Sequence, residues 1–248
     1  MRRVIRLTLP ADVIRYLKRR QTKANREEAA GTLDTNYAWG SARQTQKLEI
    51  VLSKLRTMAG ERQRCMYCSD SAGTDIEHFW PKGNYHEKMF SWPNLLLCCT
   101  GCGRDNKGSK FPLKNGTPLL IDPSDGGDPW QHLDFSTTTG VLIARVDAAG
   151  AVSAKGRETV DLLKLDRRDA VTIGYQKSFR RISRELLAAI AETTPDAAAL
   201  ITLLTDADDH GLLGWCFRGN GMNDHPMSTL RRTHPAVWGA CVDAFKNS

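Results

Sequence analysis

Four of the seven cysteines in this 248-residue chain form two C-x-x-C pairs, Cys65/Cys68 and Cys99/Cys102, with thirty residues between them. Thiols at i and i+3 can reach one ion from a tight knuckle, and two knuckles complete a tetrahedral Zn²⁺ site. A closed four-sulfur site keeps no open position, so the zinc expected here is structural. An odd cysteine count in a chain of this length fits a disulfide framework poorly. A redox C-x-x-C accounts for one pair but not for two in one segment. The thirty-residue gap exceeds what a compact zinc ribbon uses, so the knuckles are expected to clamp the base of an inserted element. Cys98 stands four residues from Cys102, so Cys99 is read as the ligand and Cys98 as a packed thiol. Cys216 and Cys241 are read as buried residues without a special role.

The segment around the knuckles divides the chain. Residues 1–60 read as a basic helical region. One helix is expected over about 10–29, opened by Pro10, followed by a polar connection to Gly40. A second is expected from Ser41 to Ala59, capped by Ser41 and ended by Gly60. It carries Leu48, Val51, Leu52, Leu55 and Met58 on one face. Residues 61–115 are rich in Cys, Gly, Trp, Asn and Pro and poor in apolar period, so metal is expected to stand in for a core there. Residues 116–248 read as a hairpin, Leu133–Phe135 with Val141–Val146, and then helices over Glu158–Leu165, Arg167–Glu192, Pro195–Leu204 and Pro235–Phe245. A loop is expected around Gly211–Asn223. The fold class is therefore α+β, mostly helical.

Between the knuckles lies the chemistry. Glu77-His78 ends an apolar–polar alternation that reads as a strand, and Asn94 precedes a second strand-like run, Leu95-Leu96-Leu97. A short helix is expected after Cys102. A neutral histidine can deprotonate water. A neighbouring carboxylate can hold Mg²⁺ to polarise a phosphate and stabilise a leaving oxygen. An asparagine can fix the loop and the imidazole through hydrogen bonds. These are the needs of metal-dependent phosphodiester hydrolysis.

On these residues the chain resembles the HNH endonucleases, whose ββα-metal core is often pinned by two C-x-x-C knuckles. Three runs are similar to the HNH subunits of Septu anti-phage systems, the PtuB family, a type that also accompanies certain retrons. They are Glu77-His78-Phe79-Trp80-Pro81-Lys82, Trp92-x-Asn94-Leu95-Leu96-Leu97-x-Cys99 and Lys107-Gly108-x-Lys110-Phe111-Pro112. The resemblance implies an HNH core inserted between helical regions, with His78 as general base, Glu77 as the Mg²⁺- or Mn²⁺-binding carboxylate and Asn94 as the middle asparagine. The chain departs from the pattern at Gly103, where the family places its last metal-binding His or Asn. Asn106, about one helical turn further, is the expected substitute, with Asp105 behind it. Asp75 is expected to share the face of Glu77. Lys82, Arg104, Lys107 and Lys110 are candidate phosphate contacts, and Trp80 and Trp92 are read as packing. His86, His132, His210, His225 and His234 carry no motif.

Charge bears on partners. The net charge of +7 is concentrated in two places. Residues 1–30 hold nine Lys/Arg against three Asp/Glu, and residues 164–184 hold seven against two. Residues 65–112 balance at five of each, so the nuclease-like segment alone should bind a polyanion weakly. Affinity for nucleic acid, with DNA favoured and RNA or tRNA the alternative, is expected from the flanking basic regions or a partner. No phosphate-binding G-x-x-x-x-G-K-[ST] loop occurs, so any ATP dependence must come from outside the chain. The Septu resemblance implies the ATPase subunit PtuA as that partner, and the retron association a retron RNA–DNA element. A rival reading is a catalytically weak zinc-knuckle module that binds nucleic acid or protein. No run approaches the ~18 apolar residues of a membrane span and no apolar signal core follows the basic first residues. The expectation is a cytosolic protein with no membrane partner.

Overall fold

The computed structural model describes residues 1–246. Its architecture is α+β and mostly helical. Three helices come first: α1 (Ala11–Ala29), α2 (Thr35–Arg43) and α3 (Gln46–Met58). The helix expected to run unbroken from Ser41 is therefore two, and the presumed connection before it is itself helical. Asp34 explains the early start: its carboxylate accepts the backbone N–H groups of Asn36 and Tyr37 at 2.9 Å each, an N-cap that outweighs the polar composition around it. Thr45 divides α2 from α3, extended in backbone and donating its hydroxyl to the Ala42 carbonyl. On α1 the buried residues Val13, Leu17 and Ala24 form one stripe. Arg15, Lys18, Arg19 and Arg26 are exposed on the opposite side.

Strands β1 (Asp75–His78) and β2 (Leu95–Cys98) pair antiparallel, with Asp75 opposite Cys98 and His78 opposite Leu95. The helix that follows the second knuckle, Gly101–Lys107, is a π-helix. Its closing bond runs from Gly108 N–H to Gly103 O, i to i+5. The expectation that metal replaces a core here is corrected in part. Leu95, Leu96 and Leu97 are wholly buried, and with Phe79, Met89 and Phe90 they join a hydrophobic cluster that runs from α1 to α9. Leu95, Leu96, Leu97 and Cys98 of β2 are all buried, and α3 packs against the strand.

Beyond the knuckles come two short hairpins, β3 (Leu113–Lys114) with β4 (Thr117–Pro118), and β5 (Leu133–Phe135) with β6 (Leu142–Ala144). Six helices follow beside one 3-10 turn: α4 (Ala154–Leu163), α5 (Asp169–Ala191), α6 (Ala197–Ala207), α7 (Leu213–Arg218), α8 (Met227–Thr233) and, closing the order, α9 (Pro235–Ala244). α4 lies against the β5–β6 hairpin at Gly156, where a Cβ would stand 1.9 Å from the His132 carbonyl, so only glycine lets the backbones meet. The loop expected over Gly211–Asn223 is corrected: it contains α7, whose Leu213, Trp215, Cys216 and Phe217 are all buried. No helix among the described residues is long and apolar enough to cross a membrane.

Candidate metal centre and active site

The knuckles meet. The Sγ atoms of Cys65, Cys68, Cys99 and Cys102 all lie within 4.8 Å of one another, and all four residues are buried. A tetrahedral Zn²⁺ with Zn–S bonds of about 2.3 Å needs sulfurs about 3.8 Å apart. Cys68 and Cys99 stand 3.9 Å apart, so the set could hold a zinc ion. Cys98 is close as well, its Sγ 3.8 Å from that of Cys65, but it lies on β2 rather than in the knuckle turn. Arg168, the residue before α5, places Nη1 3.0 Å from Cys102 Sγ and brings a guanidinium to the sulfur cluster.

Above this base, consecutive residues of β1 point to opposite faces, as a strand requires. Glu77 turns toward the π-helix together with Asp75, and His78 turns inward. Lys107, wholly buried, donates from Nζ to Glu77 Oε1 and to the His78 carbonyl, both at 2.7 Å. Gly103 faces the other carboxylate oxygen: a Cβ there would stand 2.9 Å from Glu77 Oε2. Asn106 commits its amide nitrogen to the Gly101 carbonyl. No hydrogen bond among the described residues joins it to Glu77, so the structure brings Lys107 rather than Asn106 to this carboxylate. Asp105 is exposed. Asp75 is held by Arg43 at 2.6 Å and Arg104 at 3.2 Å.

His78 is 5% exposed. Its Nε2 lies 3.0 Å from the Met89 carbonyl, which fixes the proton on Nε2 and leaves the Nδ1 lone pair as acceptor. Trp39 of α2 packs edge-on against the ring with centroids 4.3 Å apart. Burial pushes the imidazole down to about 3; the Met89 bond opposes this, and Lys82, Lys107 and Arg43 add to it. Asn94 pins the intervening loop. Its Oδ1 accepts Trp80 N–H at 2.7 Å, and its Nδ2 donates to the carbonyls of Trp80 and Lys88 at 3.0 Å. The carbonyl next in line, Met89, is the one that holds His78.

Of the other candidates, Lys82 donates to Asn36 Oδ1 on α2 at 2.6 Å and Lys110 is exposed. Trp80 packs among Phe79, Tyr85 and Phe111, while Trp92 donates its indole N–H to the Leu7 carbonyl. Sequence reasoning passed over Trp39, Met89 and Arg168, which are remote in sequence and carry no motif. His210, to which the sequence assigned no motif, is buried and links Ser178 Oγ (2.7 Å) to Asp70 Oδ1 (3.1 Å) beside the first knuckle. Both His210 and Ser178 are shut from solvent, so this chain of contacts ties α5 to the knuckle and reaches no substrate.

A divalent ion beside Glu77 would find one carboxylate oxygen, Oε2, outside the ion pair with Lys107. Mg²⁺ usually keeps several waters and binds through one or two carboxylates plus substrate phosphates. The residues present fit that kind of ion and supply no cage of their own.

No family model matches the chain, and no solved structure does. Two curated relatives match, each a Septu protein PtuB. The one from Bacillus mycoides (strain KBAB4) is 27% identical, over 56% of this chain and 52% of that protein. The one from Bacillus thuringiensis is 26% identical, over 47% and 42% respectively. The chain spans about half the length of the curated relatives it matches. It is a distant homologue of Septu protein PtuB over that half.

Proposed function

We propose that the protein is a metal-dependent HNH-type endonuclease that hydrolyses nucleic-acid phosphodiester bonds, DNA before RNA, as the effector of an anti-phage complex with a PtuA-like ATPase. The observation that carries this reading is the paired β1 and β2 bearing Glu77-His78, followed by a helix, on a base of four clustered thiols. The distant homology to PtuB supports the defence role and the ATPase partner. Exposed Arg15, Lys18, Arg19 and Arg26 on α1 support a polyanionic substrate.

In this reading His78 Nδ1 takes the proton from water, with the Met89 carbonyl holding the tautomer. Asn94 keeps that carbonyl in place by pinning the loop. Glu77 would hold the divalent ion, which supplies Lewis-acid polarisation of the phosphate and charge for the leaving oxygen. Arg43 and Arg104, already beside Asp75, stand where phosphate oxygens would approach. Trp39 must move off His78 before water can reach the imidazole.

A second reading has an observation of its own. His78 is buried beneath Trp39 and Glu77 is neutralised by Lys107, which favours a zinc-knuckle binding module. One experiment separates the two. Wild type and His78→Ala are incubated with supercoiled plasmid and with total tRNA in Mg²⁺ or Mn²⁺, with and without the ATPase encoded beside the gene. Cleavage in wild type that falls by at least about 10²-fold in the variant is expected, the size of a lost general base. Equal cleavage by both removes His78 from the mechanism. No cleavage by zinc-loaded, folded protein under any condition favours the binding module, and cleavage confined to tRNA moves the substrate to RNA.

A further inference from the structure

The ion pair at Glu77 has a charge balance that sets the order of binding. Lys107 is 0% exposed, and two of its three ammonium protons are committed, one to Glu77 Oε1 and one to the His78 carbonyl. Separating a buried pair strands a charge away from water, so this one does not simply dissociate. The only other carboxylate on this face of β1, Asp75, is clasped by Arg43 and Arg104. Two carboxylates thus face three cations, so with Lys107 in place Glu77 offers a dication no net negative charge of its own, and only the more distant knuckle, if zinc-loaded, would add any. The surplus cation on this face, an arginine, favours a phosphate diester. The donors point the same way: Gly103 offers no side chain, and no hydrogen bond among the described residues brings Asn106 to Glu77. Glu77 Oε2 is the carboxylate oxygen that this face of β1 leaves outside an ion pair.

We propose that Lys107 is a built-in cation of this site: it neutralises Glu77 in the free protein, so a divalent ion binds there only together with a nucleic-acid phosphate, whose oxygens complete the shell. Lys107 acts here through Glu77 and is a positioning residue. The inference rests on the nuclease reading for its substrate, and its test does not use cleavage.

The test is a Mn²⁺ titration of the zinc-loaded full chain without nucleic acid, followed by electron paramagnetic resonance of free Mn²⁺. Wild type is expected to show no site tighter than about millimolar. Lys107→Met, once its zinc content and near-ultraviolet circular dichroism match wild type, should gain one site at least tenfold tighter. Glu77→Gln added to Lys107→Met should remove it. A micromolar site on wild type overturns the proposal, as does a folded Lys107→Met with unchanged affinity. Should Lys107→Met not fold, Lys107→Gln takes its place, and the wild-type titration alone still decides against the proposal if the site is micromolar. Absence of cleavage everywhere would sink the nuclease reading and leave the Mn²⁺ result standing. Tight Mn²⁺ binding by an active wild type would sink this proposal and spare the nuclease.

Discussion

His78 is asked to be two things at once. A general base works best with an affinity for protons near that of its surroundings, yet burial under Trp39 pushes this imidazole down to about 3. The closed arrangement therefore holds a correctly oriented but weak base. The same burial has a thermodynamic consequence that needs no substrate. The folded state refuses a proton until about pH 3, while the unfolded chain accepts one from the ordinary histidine value of 6.5. The contribution to stability is whole above pH 6.5 and is lost as the pH falls toward 3. At about 1.4 kcal/mol per pKa unit, roughly 2–3 kcal/mol should go between pH 6.5 and 4.5. Urea unfolding at the two pH values checks this, with His78→Gln as the reference: it should lack that part of the pH slope. Equal slopes would mean that the ring is solvated in solution. The paired strands that carry Glu77-His78 and follow Asn94, and the clustering of the four knuckle cysteines, were legible in the sequence because both show in spacing and alternation. The pairing of Lys107, singled out only as a candidate phosphate contact, with Glu77 was not, for two reasons. A lysine reads as surface until a partner is known, and a π-turn is wider than an α-turn, so residue i+3 is rotated away from Gly103 while residue i+4 stays over it. That change takes Asn106 away and leaves Lys107 beside Glu77.

α2 is the element the sequence concealed. Its residues are polar and broken by Gly40, and only the Asp34 cap announces it. Yet α2 touches the site at three points: Trp39 on His78, Asn36 on Lys82 and Arg43 on Asp75. α7 was hidden for the opposite reason. Its run from Leu213 is only six residues long, too short for a period to show, and its burial comes from tertiary packing. The hairpin β5–β6 and the long helix α5 were readable because alternation and a 3.6-residue stripe persist across them. Facing α2 is the loop between β1 and β2, and its shape depends on one side chain. Asn94 makes three hydrogen bonds to the backbone of Trp80 and Lys88. Asn94→Ala would leave those groups to find water or go unpaired, at about 1–3 kcal/mol for each that stays buried. We expect a loss of roughly 3 kcal/mol in urea unfolding and faster amide exchange at Trp80. The loosening should spread to Met89 and so to His78, although neither touches Asn94. Exchange at Trp80 as slow as in wild type would show that other contacts hold the loop.

At the scale of the whole molecule, both helical regions rest on the knuckles. α3 packs on β2, whose last residue precedes Cys99. From the other side, Arg168 at the start of α5 contacts Cys102, and the Ser178–His210–Asp70 chain ties the middle of α5 to the turn after Cys68. Four thiolates around one Zn²⁺ would leave two negative charges, and Arg168, which contacts Cys102, would be the counterion that links a remote helix to the metal. Removing zinc should therefore act on more than residues 65–102. The four thiols would take up protons, the anionic charge facing Arg168 would vanish, and a half-buried guanidinium would face neutral sulfur. Structural zinc supplies folding free energy outright, and a zinc on these thiols would have two routes outward, through β2 and through Arg168. We expect a strong chelator to lower the unfolding temperature in one cooperative transition, with loss of amide protection in α5 as well as in β1 and β2. Arg168→Met should separate the two effects: zinc stays bound, but chelation then costs α5 less protection than it does in wild type. Exchange measured peptide by peptide decides the matter. If chelated wild type keeps α5 as protected as the zinc-loaded chain, the metal supports only its own segment, and the Arg168–Cys102 contact carries no load between them.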